Sequence, residues 1–251
     1  MKLNTVKQKL ADGKPTIGTW LSLCSPVSAE YMAHLPWDWL VVDTEHSPIG
    51  FETTLHCFQA ICTTDTIPMA RVAWNDPQLI KRLLDAGAMG LVVPMVNSIE
   101  EAERAVAAMK YPPQGIRSLG GGRATVYGDD YMAAANDQIA CIVQIEHIEA
   151  VRRAEDILSV EGVDACFIGP NDLAGSMGIK PDMMVKDPRH EEAVQQVLRA
   201  AKKVGTPAGI HVLTPEQANQ RVEQGFQFIA ISSDANLMRL AAREALKRIG
   251  R

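Results

Sequence analysis

Residues 83–98 read LLDAGAMGLVVPMVNS, and residues 221–236 read RVEQGFQFIAISSDAN. Each stretch begins as the end of an amphipathic helix and turns at a glycine, Gly87 or Gly225. Each then runs through a short apolar segment to a residue that opens the next helix. The two share a plan without close identity, which marks a repeated strand–helix unit and no solenoid repeat. Working outward, the same rhythm places strands at 17–23 (IGTWLSL), 39–43 (WLVVD), 67–71 (IPMAR), 90–96 (GLVVPMV), 139–146 (IACIVQIE), 163–169 (VDACFIG), 207–213 (PAGIHVL) and 226–232 (FQFIAIS). The helices between them carry their own end signals. Asp76-Pro77 opens one that Gly87 stops, Ser98 with Glu101 forms a capping box, and Thr214-Pro215 opens another that Gly225 closes.

Strict alternation predicts a parallel sheet covered by helices, and roughly eight units in a chain of this length predict a (β/α)8 TIM barrel. The alternative is an open doubly wound sheet. Against it, no GxGxxG follows the first strand, and the glycine cluster Gly120-Gly121-Gly122 follows a helix. One domain over 1–251 is expected. The stretch 111–128 (YPPQGIRSLGGGRATVYG) is too long and too rich in Gly and Pro for an ordinary connection, and such loops are usually functional or interfacial.

The net charge of −5, with Lys and Arg dispersed along the chain, offers no phosphate-tracking patch and argues against nucleic acid. The apolar runs fall far short of the ~20 residues of a membrane span, so no membrane is expected. The N-terminal MKLNTVKQKLADGKP has lysines at helical spacing and no apolar leader core, which makes the cytosol the default location. Five cysteines (Cys24, Cys57, Cys62, Cys141 and Cys166) form no CxxC pair and read as reduced core residues. A thiolate zinc site is not expected.

In such a barrel the loops after the strands build the active site, so polar residues at C-terminal strand ends are the candidates. The second strand ends in Asp43-Thr44-Glu45-His46, the third in Arg71 and the fifth in Gln144-Ile145-Glu146. The sixth runs into Gly169-Pro170-Asn171-Asp172, the seventh carries His211, and the eighth ends near Ser232, Ser233 and Asp234. Alternation puts Ala140, Ile142, Gln144 and Glu146 on one face. If that face points inward, Glu146 is a carboxylate in the barrel mouth that needs a cation or donors. If it faces the helices, it pairs with Arg152 or Arg153. Asp172 competes as N-cap of a short helix. Two carboxylates from neighbouring strand ends make a hard site suited to Mg²⁺ or Mn²⁺.

A turn cap at Asp43, a solvated Glu45 and an ordinary loop histidine are the bland readings of the DTEH run, but three ionisable groups at a barrel strand end favour a site, with His46 the natural proton carrier. Arg71 is either an outward charge or a planar fork for a carboxylate or enolate. Trp20 lines a pocket mouth or fills the barrel. His34, His56, His147 and His190 lie in or beside helices and receive no role, and His211 stays a minor candidate. None of the strand segments contains lysine, so a Schiff-base nucleophile is hard to place, with Lys180 and Lys186 only in the loop after the sixth strand. The loops after the seventh and eighth strands lack the glycines of a phosphate grip.

VVDTEHSP (41–48), RVAWNDP (71–77), LVVPMV (91–96), VQIE (143–146) and IGPNDL (168–173), in that order, resemble the class II pyruvate aldolases. This is the family of 4-hydroxy-2-oxoheptanedioate and 2-dehydro-3-deoxyglucarate aldolases. The resemblance runs from Gly18 to about Asp234. It implies a metal-dependent lyase on a barrel of the phosphoenolpyruvate/pyruvate-binding type, acting on a small 2-oxo acid and an aldehyde. It also implies Glu146 and Asp172 as ligands of Mg²⁺, Mn²⁺ or Co²⁺, Gln144 as a substrate-binding residue, His46 as base with Asp43 orienting it, and Arg71 as stabiliser of enolate charge. Trp20, Asn171 and Asp172 belong with Gln144 to the expected substrate pocket. Asp85, otherwise a plain helix-end charge, is implied to raise the basicity of the histidine across a subunit contact. A hexamer with its C-terminal helix packed on a neighbour is implied as well. Asn171 and Ser118 depart from the family pattern at positions bearing on the aldehyde, and Ala73 stands where relatives often carry proline. Related chemistries are an oxaloacetate decarboxylase, a phosphoenolpyruvate mutase and a malyl- or citramalyl-CoA lyase. A non-catalytic small-acid-binding protein is the remaining alternative.

Overall fold

The computed structural model describes residues 1–182 and 185–250. Helix α1 (Thr5–Ala11) leads into β1 (Thr16–Leu21), α2 (Pro26–Ala33), β2 (Trp39–Asp43), α3 (Phe51–Ile61) and β3 (Ile67–Arg71). Next come α4 (Pro77–Ala86), β4 (Gly90–Val93), α5 (Ile99–Met109), a 3-10 turn (Gly122–Tyr127), α6 (Tyr131–Gln138) and β5 (Ala140–Ile145). Two short helices, α7 (Ile148–Arg152) and α8 (Ala154–Leu158), precede β6 (Ala165–Ile168) and α9 (Pro170–Ser176). The chain closes with α10 (Pro188–Val204), β7 (Ala208–Val212), α11 (Pro215–Gln224), β8 (Phe228–Ser233) and α12 (Asp234–Arg248). The strands pair in chain order, all parallel, and β8 returns to β1, giving the closed eight-stranded barrel expected of the alternation.

Alternation along each strand sorts the side chains into two buried layers. Leu40, Val42, Ala70, Leu91, Val143, Ile145 and Ile168 face outward and meet the helices. Trp20, Trp39, Val41, Met69, Val92, Ile142, Phe167 and Phe228 fill the barrel, and Val6 and Leu10 of α1 close its floor. Trp39 stacks on Phe228 with ring centroids 4.1 Å apart. Gly18 makes room for that stack, because a Cβ there would lie 2.1 Å from the Trp39 ring. The floor is therefore filled by aromatic and aliphatic side chains.

The helix signals hold in their physical sense. Asp76 accepts from the backbone N–H groups of Gln78 and Leu79, and Thr214 with Gln217 forms a reciprocal capping box. Ser98 caps Glu101, but the Glu101 carboxylate turns to the N–H of Asn97, so the expected box at Ser98 is closed on one side only. Strand β4 ends at Val93 rather than 96, since Pro94 has no N–H to give and Met95 takes φ 54°. All five cysteines are free. Among the described residues no helix is long and apolar enough to cross a membrane.

Candidate active site

Asp43 and Arg71 end adjacent strands in direct register, both on the inward face. Arg71 donates from Nε to Oδ1 of Asp43 at 2.9 Å and from Nη2 to Oδ2 at 2.7 Å, and its Nη1 lies 3.1 Å from Glu45 Oε2. Burial works to raise the Asp43 carboxyl, but the Arg71 fork and the N–H groups of Glu45 and His46 hold it below the ordinary value. Glu45 moves the other way: burial raises it and Arg71 only partly compensates. The guanidinium also sits 4.6 Å from the centre of the Trp20 ring. The outward, solvated reading of Arg71 is thereby removed.

Gln144 lines the mouth and Glu146 is buried beside it, and the pairing of Glu146 with Arg152 or Arg153 does not occur; Arg152 binds Glu149 instead. Glu146 is almost wholly buried, accepts from the N–H of Met95 at 2.9 Å, and its other oxygen accepts from the Gln144 amide. Burial dominates its titration and, with the charges of Asp172 and Glu45 adding, pushes the carboxyl up to about 7. Gln144 Oε1 is buried without a hydrogen-bond partner. Gly169 is what lets the two side chains lie there: a Cβ would stand 2.5 Å from Glu146 Oε2 and 3.0 Å from Gln144 Nε2.

Of the two readings of Asp172, the capping one falls away, because the residue lies in the first turn of a helix. Helix α9 begins at Pro170 behind Gly169, so the Asp172 side chain caps nothing and is exposed to the mouth. A cavity of about 580 Å³ opens at this end, lined by Trp20, Asp43, His46, Arg71, Gln144, Asn171 and Asp172 among others. His46 is 65% exposed, with Nε2 4.0 Å from Glu45 and its backbone N–H donating to Asp43 at 3.3 Å. Glu45 and Glu146 lie behind this wall.

Asp85 is not brought to this group within the chain. It stands at the C-terminal end of α4, toward the opposite end of the barrel, where it accepts from Arg117 Nη2 at 2.7 Å. Arg117 belongs to the long 111–128 stretch, as does Ser118, and neither lines the cavity. Two residues given no role or a minor one do line it. His190 Nε2 lies 2.9 Å from the Pro170 carbonyl, and His211 Nδ1 accepts from the Trp20 indole N–H at 3.0 Å. The inward parity of Gly209 and His211 on the seventh strand was a readable signal for the latter. The Met95 N–H on Glu146 is a backbone contribution that no residue type announces.

Among the described residues no group of three His, Cys, Asp or Glu side chains stands ready to hold a metal. The side-chain donors grouped at this end are oxygens, from Glu146, Asp172 and the unpartnered Gln144 Oε1. That set fits a hard divalent cation, which commonly takes one or two carboxylates and completes its shell with water and substrate.

The family model described as HpcH/HpaI aldolase/citrate lyase matches residues 16–241. A protein of Shigella sonnei named 4-hydroxy-2-oxo-heptane-1,7-dioate aldolase is 41% identical over 254 aligned positions, covering 98% of this chain and 95% of its own. An HpcH/HpaI aldolase/citrate lyase family protein from Burkholderia cenocepacia J2315 superposes with a TM-score of 0.94 at 37% identity, over 99% of this chain and 100% of that one. The HpcH/HpaI aldolase of Desulfitobacterium hafniense DCB-2 gives 0.90 at 32% identity, over 97% and 95%.

Proposed function

The chain belongs to the HpcH/HpaI aldolase/citrate lyase family, and from that premise we propose that it is a carbon–carbon lyase. It reversibly cleaves a 4-hydroxy-2-oxo acid into an aldehyde and pyruvate, or a related 2-oxo acid such as hydroxypyruvate. The observation that carries this reading is that Arg71, Gln144, Asp172 and His46 line one cavity, with Glu146 buried directly against Gln144. Glu146 and Asp172 would hold the divalent cation, Mg²⁺ or Mn²⁺ with Co²⁺ as a substitute. When bound it supplies Lewis-acid charge for a 2-oxo acid.

The residues of the chain do the rest. Gln144 and Asn171 hydrogen-bond the 2-oxo acid, and Trp20 closes the side of its pocket. In cleavage His46 takes the proton of the C4 hydroxyl, the C3–C4 bond breaks, and its electron pair remains as the pyruvate enolate while the aldehyde departs. The proton then returns to C3. Arg71 places fixed positive charge beside the enolate, pre-oriented by Asp43 and Glu45, so little reorganisation accompanies the charge shift. Asp43 also steadies the His46 backbone. Asp85 reaches a histidine only from a neighbouring copy. The proposed assembly is a hexamer, supported by α12, which leaves Met238, Leu240 and Leu246 exposed. The cytosol is the proposed location, supported by five cysteines left free.

Turnover of a panel of 4-hydroxy-2-oxo acids with added Mn²⁺, coupled to pyruvate detection, tests the reading. Chelation should abolish release and metal should restore it. Full activity after stripping, or borohydride trapping of pyruvate on a lysine, overturns it.

A further inference from the structure

The cavity has two chemically different halves. The half over β2, β3, β5 and β6 carries Asp43, Asp172, Arg71 and Gln144. The half over β7 and β8 carries His211, Ser232, Ser233, Asn236 and Arg239. The lining also holds Asp182 and Glu191, and Glu191 is held by both Nη atoms of Arg221 at 2.6 and 2.8 Å. Arg239 contacts only Asn236 Oδ1, at 2.8 Å, among the described residues. The second half thus offers donors, and it suits a reactant that brings oxygen acceptors.

His211 is the donor nearest the reacting end. An indole nitrogen can only donate, so the Trp20 bond requires a lone pair on His211 Nδ1 and leaves the proton on Nε2. A protonated ring would set N–H against N–H. Burial, with the Arg71 charge adding, pushes the ring down to about 4, which agrees with that neutral form. Among the described residues nothing accepts from Nε2, and the ring lines the cavity. Trp20 neighbours both: the His211 ring is 6.4 Å from the Trp20 ring, and the Arg71 guanidinium is 4.6 Å from it.

Resting on the aldolase reading above, we infer that His211 is a specificity-determining residue whose Nε2–H selects aldehydes bearing an oxygen on the carbon next to the carbonyl. The strained bulge opposite supports the assignment. Ser232 sits at φ 56° where the β1–β8 register slips, and its hydroxyl accepts from Asn236, which leaves its own proton free for a ligand.

The test compares aldol addition of pyruvate to glycolaldehyde and to propanal, which differ by a hydroxyl for a methyl, with Mn²⁺ present. His211→Leu should lower the glycolaldehyde-to-propanal ratio of kcat/KM by roughly 10–100-fold, the loss of one directed hydrogen bond. His211→Gln, which keeps an N–H donor, should retain most of that ratio. Intrinsic reactivity cancels between variant and wild type. An unchanged ratio, or an equal fall on both aldehydes through a displaced Trp20, overturns the inference. In the wild type, long-range ¹H–¹⁵N spectra should show His211 protonated at Nε2 between about pH 5 and 8, and an Nδ1–H ring or a titrating ring also overturns it. Wild-type enzyme that fails to exchange the methyl protons of pyruvate in D₂O defeats the aldolase reading itself. Exchange with an unmoved ratio defeats only the role of His211.

Discussion

Arg71 holds Asp43 with two parallel hydrogen bonds, 2.9 and 2.7 Å, across adjacent strand ends that are 28 positions apart in sequence. The fork fixes the guanidinium plane, so its charge is aimed before any substrate arrives. An ammonium has no such plane. Arg71→Lys should therefore lower kcat by about 10²–10³ in steady-state pyruvate release. A rise in KM with kcat intact would instead mark Arg71 as a simple grip on the substrate carboxylate.

Glu146→Gln and Asp172→Asn should each weaken Mn²⁺ binding, because an amide keeps the shape of the carboxylate and loses its charge. Titration calorimetry on the two variants reads this directly. Unchanged affinity in either would remove that residue from the cation site.

The Glu146 carboxyl, raised from the ordinary 4.5 to about 7, makes a stability statement for metal-stripped protein. The folded chain binds the proton more tightly than the unfolded chain, so stability falls as pH rises from about 4.5 to 7 and then levels off. Melting curves of EDTA-treated protein should show that decline, and Glu146→Gln should flatten it. A wild-type Tm that climbs through the same interval with no flattening in the variant would contradict the assignment.

Gly169→Ala places a methyl 2.5 Å from Glu146 Oε2 and 3.0 Å from Gln144 Nε2. Both side chains must shift, and Mn²⁺ affinity should fall roughly 10–100-fold, the usual cost of disturbing what orients a ligand. Calorimetry at fixed pH measures it. Wild-type affinity would show that the mouth can relax around the methyl.

Arg117 is fully buried, stacks on Tyr111 with its guanidinium 4.3 Å from the ring centre, and leaves Nε and Nη1 without partners. Asp85 is its counter-charge. Asp85→Ala should cost about 3–5 kcal/mol, the penalty for stranding one member of a buried pair. Urea denaturation at one fixed protein concentration gives the number, and a loss under about 1 kcal/mol would argue that Arg117 finds another partner.

Much of this was legible before any coordinates. The alternation of β-branched runs with capped helices specified the barrel, because a strand buried on both faces must read as a continuous apolar run between amphipathic helices. The same parity put Gln144 with Glu146, and Asp43 and Arg71 at strand ends. Asp172 stood open between cap and ligand because Asp is a favoured capping residue; Pro170 at the first helical position puts the cap at Gly169, three residues upstream. His211 stayed a minor candidate because a lone histidine on an apolar strand carries no mark of its partner.

What the chain determined by itself is periodicity: which residues share a face, where helices begin and stop, and which polar groups end strands. These are local matters, settled by 3.6- and 2-residue repeats and by backbone groups at helix ends. The tertiary structure alone decided the state of each site group. Closure of β8 on β1 brings Trp20 to His211, 191 positions away, and so fixes a tautomer. Burial of Glu146 beneath Gly169, with Asp172 and Glu45 nearby, raises its carboxyl to about 7. Solvation and pairing depend on every atom within a few ångströms, and only the closed barrel sets which atoms those are.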